Sequence, residues 1–464
     1  MVDRRNVIKS GLAASTLLAL GGSAQAGRRA AKPNLIHICA DDMRFDDYKV
    51  MPNLRRLFRK TGLNFTSHFV PFSLCAPSRA GMLTGLQPHN HGVILNNNKN
   101  DGGYEAYRKL ENNALPVWLT EAGYHVGHVG KFVNGYGKID RHHVPPGYAD
   151  WHAMASDEKL SYTNFLLNEN GTLVRYDGQY CTDVFVAKVL DFLNNAPQPY
   201  TLFFWPDAPH FPATPDQQDQ GTFANVDMPI PPNFNEADVS DKPAQIRNLP
   251  LLAPDEVAAI QDVWRSRAEC LQSLDRGLAA IVGALEASGQ LANTHIVFTS
   301  DNGFLLGEHR VDDQKGLLYE EAVKVPLYWR APGGVAGARD EIVSNIDVTA
   351  TFVELAGATA GRTLDGTSLV PLLSPGKPKW NTATLLQCPY AFGVATAHYR
   401  YMEWIGTGEI ELYDMTVDPY QLQNVAGEPD YADIQKRCAE ALVNLQACAG
   451  ATCAWTSHFP KSPQ

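Results

Sequence analysis

Asn34-Leu35-Ile36-His37-Ile38-Cys39-Ala40-Asp41-Asp42 decides the fold: an apolar run that stops abruptly at two carboxylates. A short apolar segment closed by polar residues is the mark of a strand buried on both faces. The same construction returns three times. Residues 124–129 end at Gly130-Lys131, residues 200–205 run out near Asp207 and His210, and residues 295–299 end at Ser300-Asp301-Asn302-Gly303. Helical patterns lie between them, at 53–60, 115–122, 182–194 and 255–285. Strands alternating with helices predict an α/β protein built on a large, mixed, mostly parallel sheet flanked by helices. Ligands of such sheets sit outside the carboxyl ends of the strands. Each of these four ends delivers a polar or charged group there.

Asp41, Asp42, Asp301 and Asn302 come from strand ends far apart in the chain. Four oxygen donors without a zinc-type His or Cys set suit a hard divalent cation, Ca²⁺ first and Mg²⁺ second. Adjacent acids alone would read as a helix cap or a solvated surface; pairing with the second cluster is what points to a metal. Lys131 follows an apolar strand and two glycines, and Lys315 opens Lys315-Gly316-Leu317-Leu318-Tyr319-Glu320. Both are candidate clamps for the oxygens of a tetrahedral anion, although a lone Lys is ordinarily a solvated charge. His210, in Asp207-Ala208-Pro209-His210-Phe211-Pro212, is placed to protonate a leaving oxygen, with a packed, hydrogen-bonded histidine as the plainer reading.

The 464 residues carry a formal net charge of −11, with 44% hydrophobic and 19% charged residues. Such a chain buries a large core, and its acidity argues against nucleic acid as a partner. Arg4-Arg5, the apolar residues 11–20 and Ala24-Gln25-Ala26 read as an export leader over 1–26. Its twin arginine predicts the twin-arginine route, with an ordinary secretory signal carrying two chance arginines as the plainer reading, and either gives a periplasmic or secreted location in a bacterium. The apolar core is too short for stable membrane insertion. Eight cysteines are too few and too scattered for a disulfide framework. Cys39, Cys181 and Cys270 read as buried thiols, and Cys438, Cys448 and Cys453 lie close enough for one late disulfide. The Pro-rich stretch 228–250 predicts an ordered loop over the sheet edge. Ser374-Pro375-Gly376-Lys377-Pro378-Lys379 marks a boundary between a catalytic domain at 33–373 and a smaller α+β subdomain at 379–464. In the latter, 382–387, 394–401 and 409–413 read as strands and 432–446 as a helix.

Cys75-Ala76-Pro77-Ser78-Arg79-Ala80-Gly81-Met82-Leu83-Thr84-Gly85 carries a more specific signal. It matches every fixed position of Cys-x-Pro-Ser-Arg-x-x-x-x-Thr-Gly, the signature of type I sulfatases, and the chain resembles that family. Gly123-Tyr124-His125-Val126-Gly127-His128-Val129-Gly130-Lys131 is similar to the second sulfatase signature, and Glu411-Leu412-Tyr413-Asp414 with Asp418-Pro419 and Asn424 to its C-terminal motif. Phe132-Val133-Asn134-Gly135-Tyr136, Val144-Pro145-Pro146-Gly147-Tyr148 and Asn233-Phe234-Asn235-Glu236 look closest to the N-acetylglucosamine-6-sulfatase branch.

The resemblance implies an alkaline-phosphatase-like fold and hydrolysis of sulfate esters, on sulfated small molecules or glycans such as 6-sulfated amino sugars. It implies that a maturation enzyme oxidises Cys75 to formylglycine. The hydrated aldehyde then attacks sulfur with one hydroxyl and expels sulfate with the other. Asp41, Asp42, Asp301, Asn302 and the modified Cys75 would hold the cation, Arg79 would orient the diol, Lys131 and Lys315 would hold the transferring oxygens, and His210 would assist the leaving group. One position departs from the pattern. Many sulfatases carry His two residues after the signature Lys, and here that residue is Val133. His309, in Gly307-Glu308-His309-Arg310, and His128 are candidates for the missing base. Asp207 stands where a first His is more usual. Two rival readings are a phosphonate or phosphate ester hydrolase of the same superfamily and a non-catalytic glycan-binding pseudoenzyme.

Overall fold

A computed structural model describes residues 31–98, 102–155 and 160–463, so the leader reading lies outside the described residues. The run that opened the sequence is a strand, β1 (Asn34–Ala40). The other three are β2 (His125–Gly130), β3 (Tyr200–Trp205) and β4 (Thr294–Ser300). They form the centre of a ten-stranded mixed sheet in the order β4-β1-β3-β2, and every pairing among them is parallel. Antiparallel strands extend both flanks: Leu327–Arg330 pairs with β4, while Asn164–Glu169 and Thr172–Asp177 follow Asp150–Met154 on the other side.

Alternation along β1 explains its unbroken hydrophobicity. Leu35 and Cys39 face one core, with Ala76, Ala80, Leu83, Val348 and Phe352 of α1 (Cys75–Thr84) and α4 (Asn345–Ala356). Ile36, Ile38 and Ala40 face another, with Phe185 and Val189 of α2 (Cys181–Asn195) and Leu271, Leu274 and Leu278 of α3 (Pro254–Ala287). A strand covered on both faces needs apolar residues at both parities. His37 survives there as a neutral acceptor for the Trp205 indole N–H at 2.8 Å, because burial pushes its pKa down to about 3.

The helical pattern at 53–60 is a single α-turn at Pro52–Leu54 that runs into a wider π-helical stretch at Arg55–Arg59. Two local expectations are corrected. The Pro-rich stretch packs past the carboxyl end of β4 rather than over the sheet edge. Met228 joins Phe304 and Leu306 in one apolar cluster, and Phe234 bridges to Glu308. Residues 394–401 are not one strand but parts of two, Ala391–Thr396 and Tyr399–Trp404. The Thr396 hydroxyl turns the chain by accepting from the N–H groups of His398 and Tyr399 at 3.2 and 2.8 Å. These two strands lie in a four-stranded antiparallel sheet with Ala383–Gln387 and Ile410–Asp414, packed against α5 (Ala432–Gln446). Cys448 and Cys453 form the disulfide, and Cys438 stays a buried thiol.

Candidate active site

Cys75 opens α1 as its first residue, fully buried. The preceding Leu74 is extended (φ −139°), and Asn96 Oδ1 caps the helix by accepting from the Ala76 N–H at 2.8 Å. Ser78 is fixed from below by Asn345 Nδ2 at 2.9 Å. Gly85 ends the helix at φ +68°, where a Cβ would lie 2.8 Å from Leu364 Cδ2, so the motif's glycine answers both to backbone and to space. Gly130 has a similar reason. At φ +112° its backbone passes so close to the Trp205 carbonyl that a Cβ would lie 2.2 Å from it, and Lys131 N–H then donates to that oxygen at 2.8 Å. Lys131 is thereby aimed across the end of β3.

The strand ends converge on the thiol. Cys75 Sγ has Lys315 Nζ at 2.8 Å, Asp41 Oδ1 at 3.4 Å and Asp42 Oδ1 at 3.8 Å. Lys315 also pairs with Asp42, and Lys131 with Asp41. His210 Nε2 lies 3.7 Å from Asp42 Oδ2, with its side chain 26% exposed. One ligand atom from each of Asp41, Asp42, Cys75 and His210 fits within 4.8 Å of the others. Arg79 is wholly buried and reaches the acids rather than the sulfur. Its Nε donates to Asp301 Oδ2 at 2.7 Å, Nη1 donates to the Lys131 carbonyl at 3.1 Å, and Nη2 lies 3.6 Å from Asp41 Oδ2. The side chain predicted to orient the nucleophile is placed as a brace between three strand ends.

Asp301 and Asn302 complete the group differently. Asp301 Oδ1 accepts from the backbone N–H of Asp42 and of Asn302 at 3.1 and 2.9 Å. Asn302 Nδ2 donates to Asp42 Oδ1 at 2.7 Å, which leaves Asn302 Oδ1 buried without a partner. A bare amide oxygen beside two buried carboxylates is what a hard cation takes as ligands, so the donor set fits a divalent metal.

Electrostatics follow from these contacts. Burial pulls the Asp41 and Asp42 carboxyls upward, but Lys131 at one and Lys315 at the other, with His210 at both, outweigh it and hold them below the usual range. The reciprocal effect keeps both lysines charged despite burial. Burial, with Asp301 and Asp41 adding to it, pushes the Cys75 thiol up against the pull of the lysines. Asp207 is buried near Lys131 and pushed up to about 7 by that burial.

Neither candidate for the missing base is brought to the thiol. His309 lies buried with Nδ1 bonded to Glu236 Oε2 at 2.6 Å and Nε2 3.3 Å from Asn233 Nδ2, stacked on Tyr319. Both ring nitrogens are thus committed elsewhere. His128 stacks on Trp151 at 4.8 Å, with Phe132 and Trp205 edge-on, and is a core residue. Asn96 and Arg267, both at the site, give no signal in the sequence: an Asn in a polar loop and an Arg inside a long helix carry no distinguishing pattern.

Comparison with known proteins bears on what this arrangement does. A family model described as sulfatase matches residues 33–358, and one described as N-sulphoglucosamine sulphohydrolase, C-terminal, matches 307–448. The N-acetylglucosamine-6-sulfatase of Homo sapiens is 31% identical over 497 residues, covering 94% of this chain and 89% of its own. Among solved structures, one in complex with its substrate D-glucosamine-2-N,6-O-disulfate superposes with a TM-score of 0.76 at 23% identity, over 89% of this chain and 97% of that one. The phosphonate monoester hydrolase of Agrobacterium radiobacter superposes with a TM-score of 0.70 at 22% identity, over 90% and 96%. At such identities the superpositions speak for the fold alone.

Proposed function

The chain belongs to the sulfatase family and is a sulfuric-ester hydrolase, and on that premise we propose that it removes 6-O-sulfate from amino sugars of sulfated carbohydrates, with Cys75 as precursor of the nucleophile. The 6-sulfatase relative aligned over nearly the whole chain supports this substrate class. One geometric observation carries the chemistry. Two ammonium groups, each only 13–14% exposed, flank the acid cluster, and one of them sits 2.8 Å from Sγ. An oxyanion receptor therefore abuts the reacting atom.

The thiol as it stands is held protonated by burial and is a poor nucleophile, which supports its conversion. Oxidised to formylglycine, residue 75 would supply a hydrated aldehyde, an oxygen nucleophile where Sγ now lies. Asp41, Asp42, Asp301 and Asn302 would hold a divalent cation, Ca²⁺ or Mg²⁺, which offsets negative charge on the ester. Lys131 and Lys315 donate to the sulfuryl oxygens as charge moves onto them. Arg79 keeps the Asp41 and Asp301 carboxylates and the Lys131 backbone in one frame. His210, the most exposed of the group, protonates the departing alcohol.

Several features support the supporting roles. The Cys448–Cys453 disulfide suits an oxidising compartment, and among the described residues no helix is long and apolar enough to cross a membrane. We place the enzyme outside the cytoplasm, exported by the twin-arginine leader after a maturation enzyme has acted on Cys75. The retained nucleophile and acid cluster weigh against a pseudoenzyme. Parallel rates on glucosamine 6-sulfate, an aryl sulfate and an aryl phosphate diester test the reading. It predicts turnover of both sulfates, and a much faster phosphate diester would hand the site to the phosphonate hydrolase alternative.

A further inference from the structure

Arg267 lies in the interior of α3, where a charged residue would ordinarily face water. Its side chain is only 4% exposed. Nη2 donates to the carbonyl oxygen of Asp42 at 2.5 Å, and Nη1 donates to the carbonyl oxygen of Pro209 at 3.2 Å. The guanidinium lies over the Phe304 ring at 4.4 Å. Its nearest carboxylate is Asp47, at 3.8 Å, and Nε is buried without a partner. A buried cation held mainly by two carbonyls is a costly way to stabilise a fold, because an apolar side chain of similar volume usually serves as well.

The two carbonyls are not arbitrary. Asp42 has a left-handed backbone at φ +65°, a conformation that costs a non-glycine residue about 1–2 kcal/mol and persists only when neighbours enforce it. Asp301 Oδ1 holds its N–H at 3.1 Å, and Arg267 holds its carbonyl. Pro209 immediately precedes His210, whose own N–H donates to the Asp207 carbonyl at 2.8 Å. Asp41 N–H adds a direct link to the Ala208 carbonyl at 3.2 Å. Arg267 therefore grips, with two arms of one rigid plane, the turn that presents the Asp42 carboxylate and the turn that presents the His210 imidazole.

We propose that Arg267 is a positioning residue for ester cleavage, setting the spacing between the Asp42 carboxylate and the imidazole that protonates the leaving group. The inference rests on the reading of His210 given above. A fork that fixes both turns is something Lys cannot reproduce, since one ammonium is a point donor on a flexible stem. Its effect falls more heavily on the leaving-group side: Arg267 holds the residue next to His210 directly through the Pro209 carbonyl, whereas the Asp42 turn that carries Lys315's partner keeps its N–H bond to Asp301 without Arg267.

Leaving groups provide the test. An aryl oxide departs with little help, whereas a sugar alkoxide needs a proton in the transition state. Arg267→Met should lower kcat on glucosamine 6-sulfate about 100-fold, the loss expected for a misplaced catalytic group. On an aryl sulfate the loss should stay under about tenfold, with KM for both nearly unchanged. Arg267→Lys should recover part of the sugar rate, and if the Met variant does not fold, the Lys variant carries the same comparison. Equal losses on the two substrates, or no loss in the folded variant, would overturn the proposal. Should the wild-type enzyme cleave phosphate diesters and not sulfates, the substrate reading fails; the same split, measured on aryl and alkyl phosphate esters, still decides for or against Arg267.

Discussion

Replacing Lys315 with methionine removes one ammonium group from the site and nearly preserves its volume. Two separable effects follow from its partners. Nζ lies 2.8 Å from Cys75 Sγ, the atom that the proposed conversion replaces with an oxygen nucleophile, so on that proposal it donates where charge develops. Losing one such donor costs about 10²–10³ in kcat, or roughly 3–4 kcal/mol. The second effect is on stability. Lys315 is 14% exposed and its partner Asp42 1%, and taking the ammonium from a carboxylate so deeply buried, which keeps the Asn302 amide as a donor, costs about 3–5 kcal/mol. At about 2.1 cal/mol/K per residue, the compact unit Lys32–Gln464 unfolds with an entropy near 0.9 kcal/mol/K. The melting midpoint in chelator should therefore fall by about 4 °C. Saturating Ca²⁺ or Mg²⁺ gives Asp42 a replacement counter-charge, and most of the midpoint should return while kcat does not. Steady-state rates on an aryl sulfate and thermal melts with and without cation read the two effects separately. A kcat within tenfold of wild type, or a midpoint loss that ignores the cation, would refute the placement of Lys315.

Two further outcomes follow from residues away from the reacting atoms. Burial, assisted by Arg79, pushes His128 down to about 3, so the folded chain refuses a proton that the unfolded chain takes below about pH 6.5. The stability it costs is absent above that pH and grows by about 1.4 kcal/mol per unit beneath it. His128→Phe should thus gain about 2 kcal/mol over wild type on going from pH 7 to pH 5, read by urea unfolding at both; identical pH dependence in the two proteins would contradict it. The Cys448–Cys453 bridge spans a sequence separation of 5, and chain-entropy reasoning assigns so short a loop about 2 kcal/mol. Cys448→Ser with Cys453→Ser should lose that amount in urea unfolding, become blind to reductant, and keep its kcat; a double variant that still responds to reductant would place the sensitive bond elsewhere.

Much of this arrangement was legible in the chain because strand ends are punctuated. The apolar runs of β1 to β4 stop where the sheet stops, and the residues that stop them, Asp41, Asp42, Lys131, His210 and Asp301, are the ones the fold gathers. The motif from Cys75 to Gly85 likewise states its own helix, since Pro77 and Gly85 mark where such a turn begins and ends. What stayed hidden depends on contacts distant in sequence. Arg267 looks like any solvated helix charge until α3 is laid against the Asp42 turn. His309 is near Asp301 in the chain, yet Glu236 and Asn233 draw both its nitrogens away from the thiol. The break between Thr396 and Tyr399 has no Gly or Pro to announce it, because a threonine hydroxyl makes the turn. With Val133 where many sulfatases carry His, none of the side chains proposed for the site takes the role of proton acceptor for the nucleophile.

The central claim is that Cys75 reacts as an oxidised residue rather than as a thiol. Mass spectrometry of the peptide that contains Cys75, from enzyme made in its native host, should show sulfur lost and an aldehyde gained. The converted fraction should scale with kcat on an aryl sulfate. An enzyme at full turnover whose Cys75 is an unmodified thiol throughout would contradict the account.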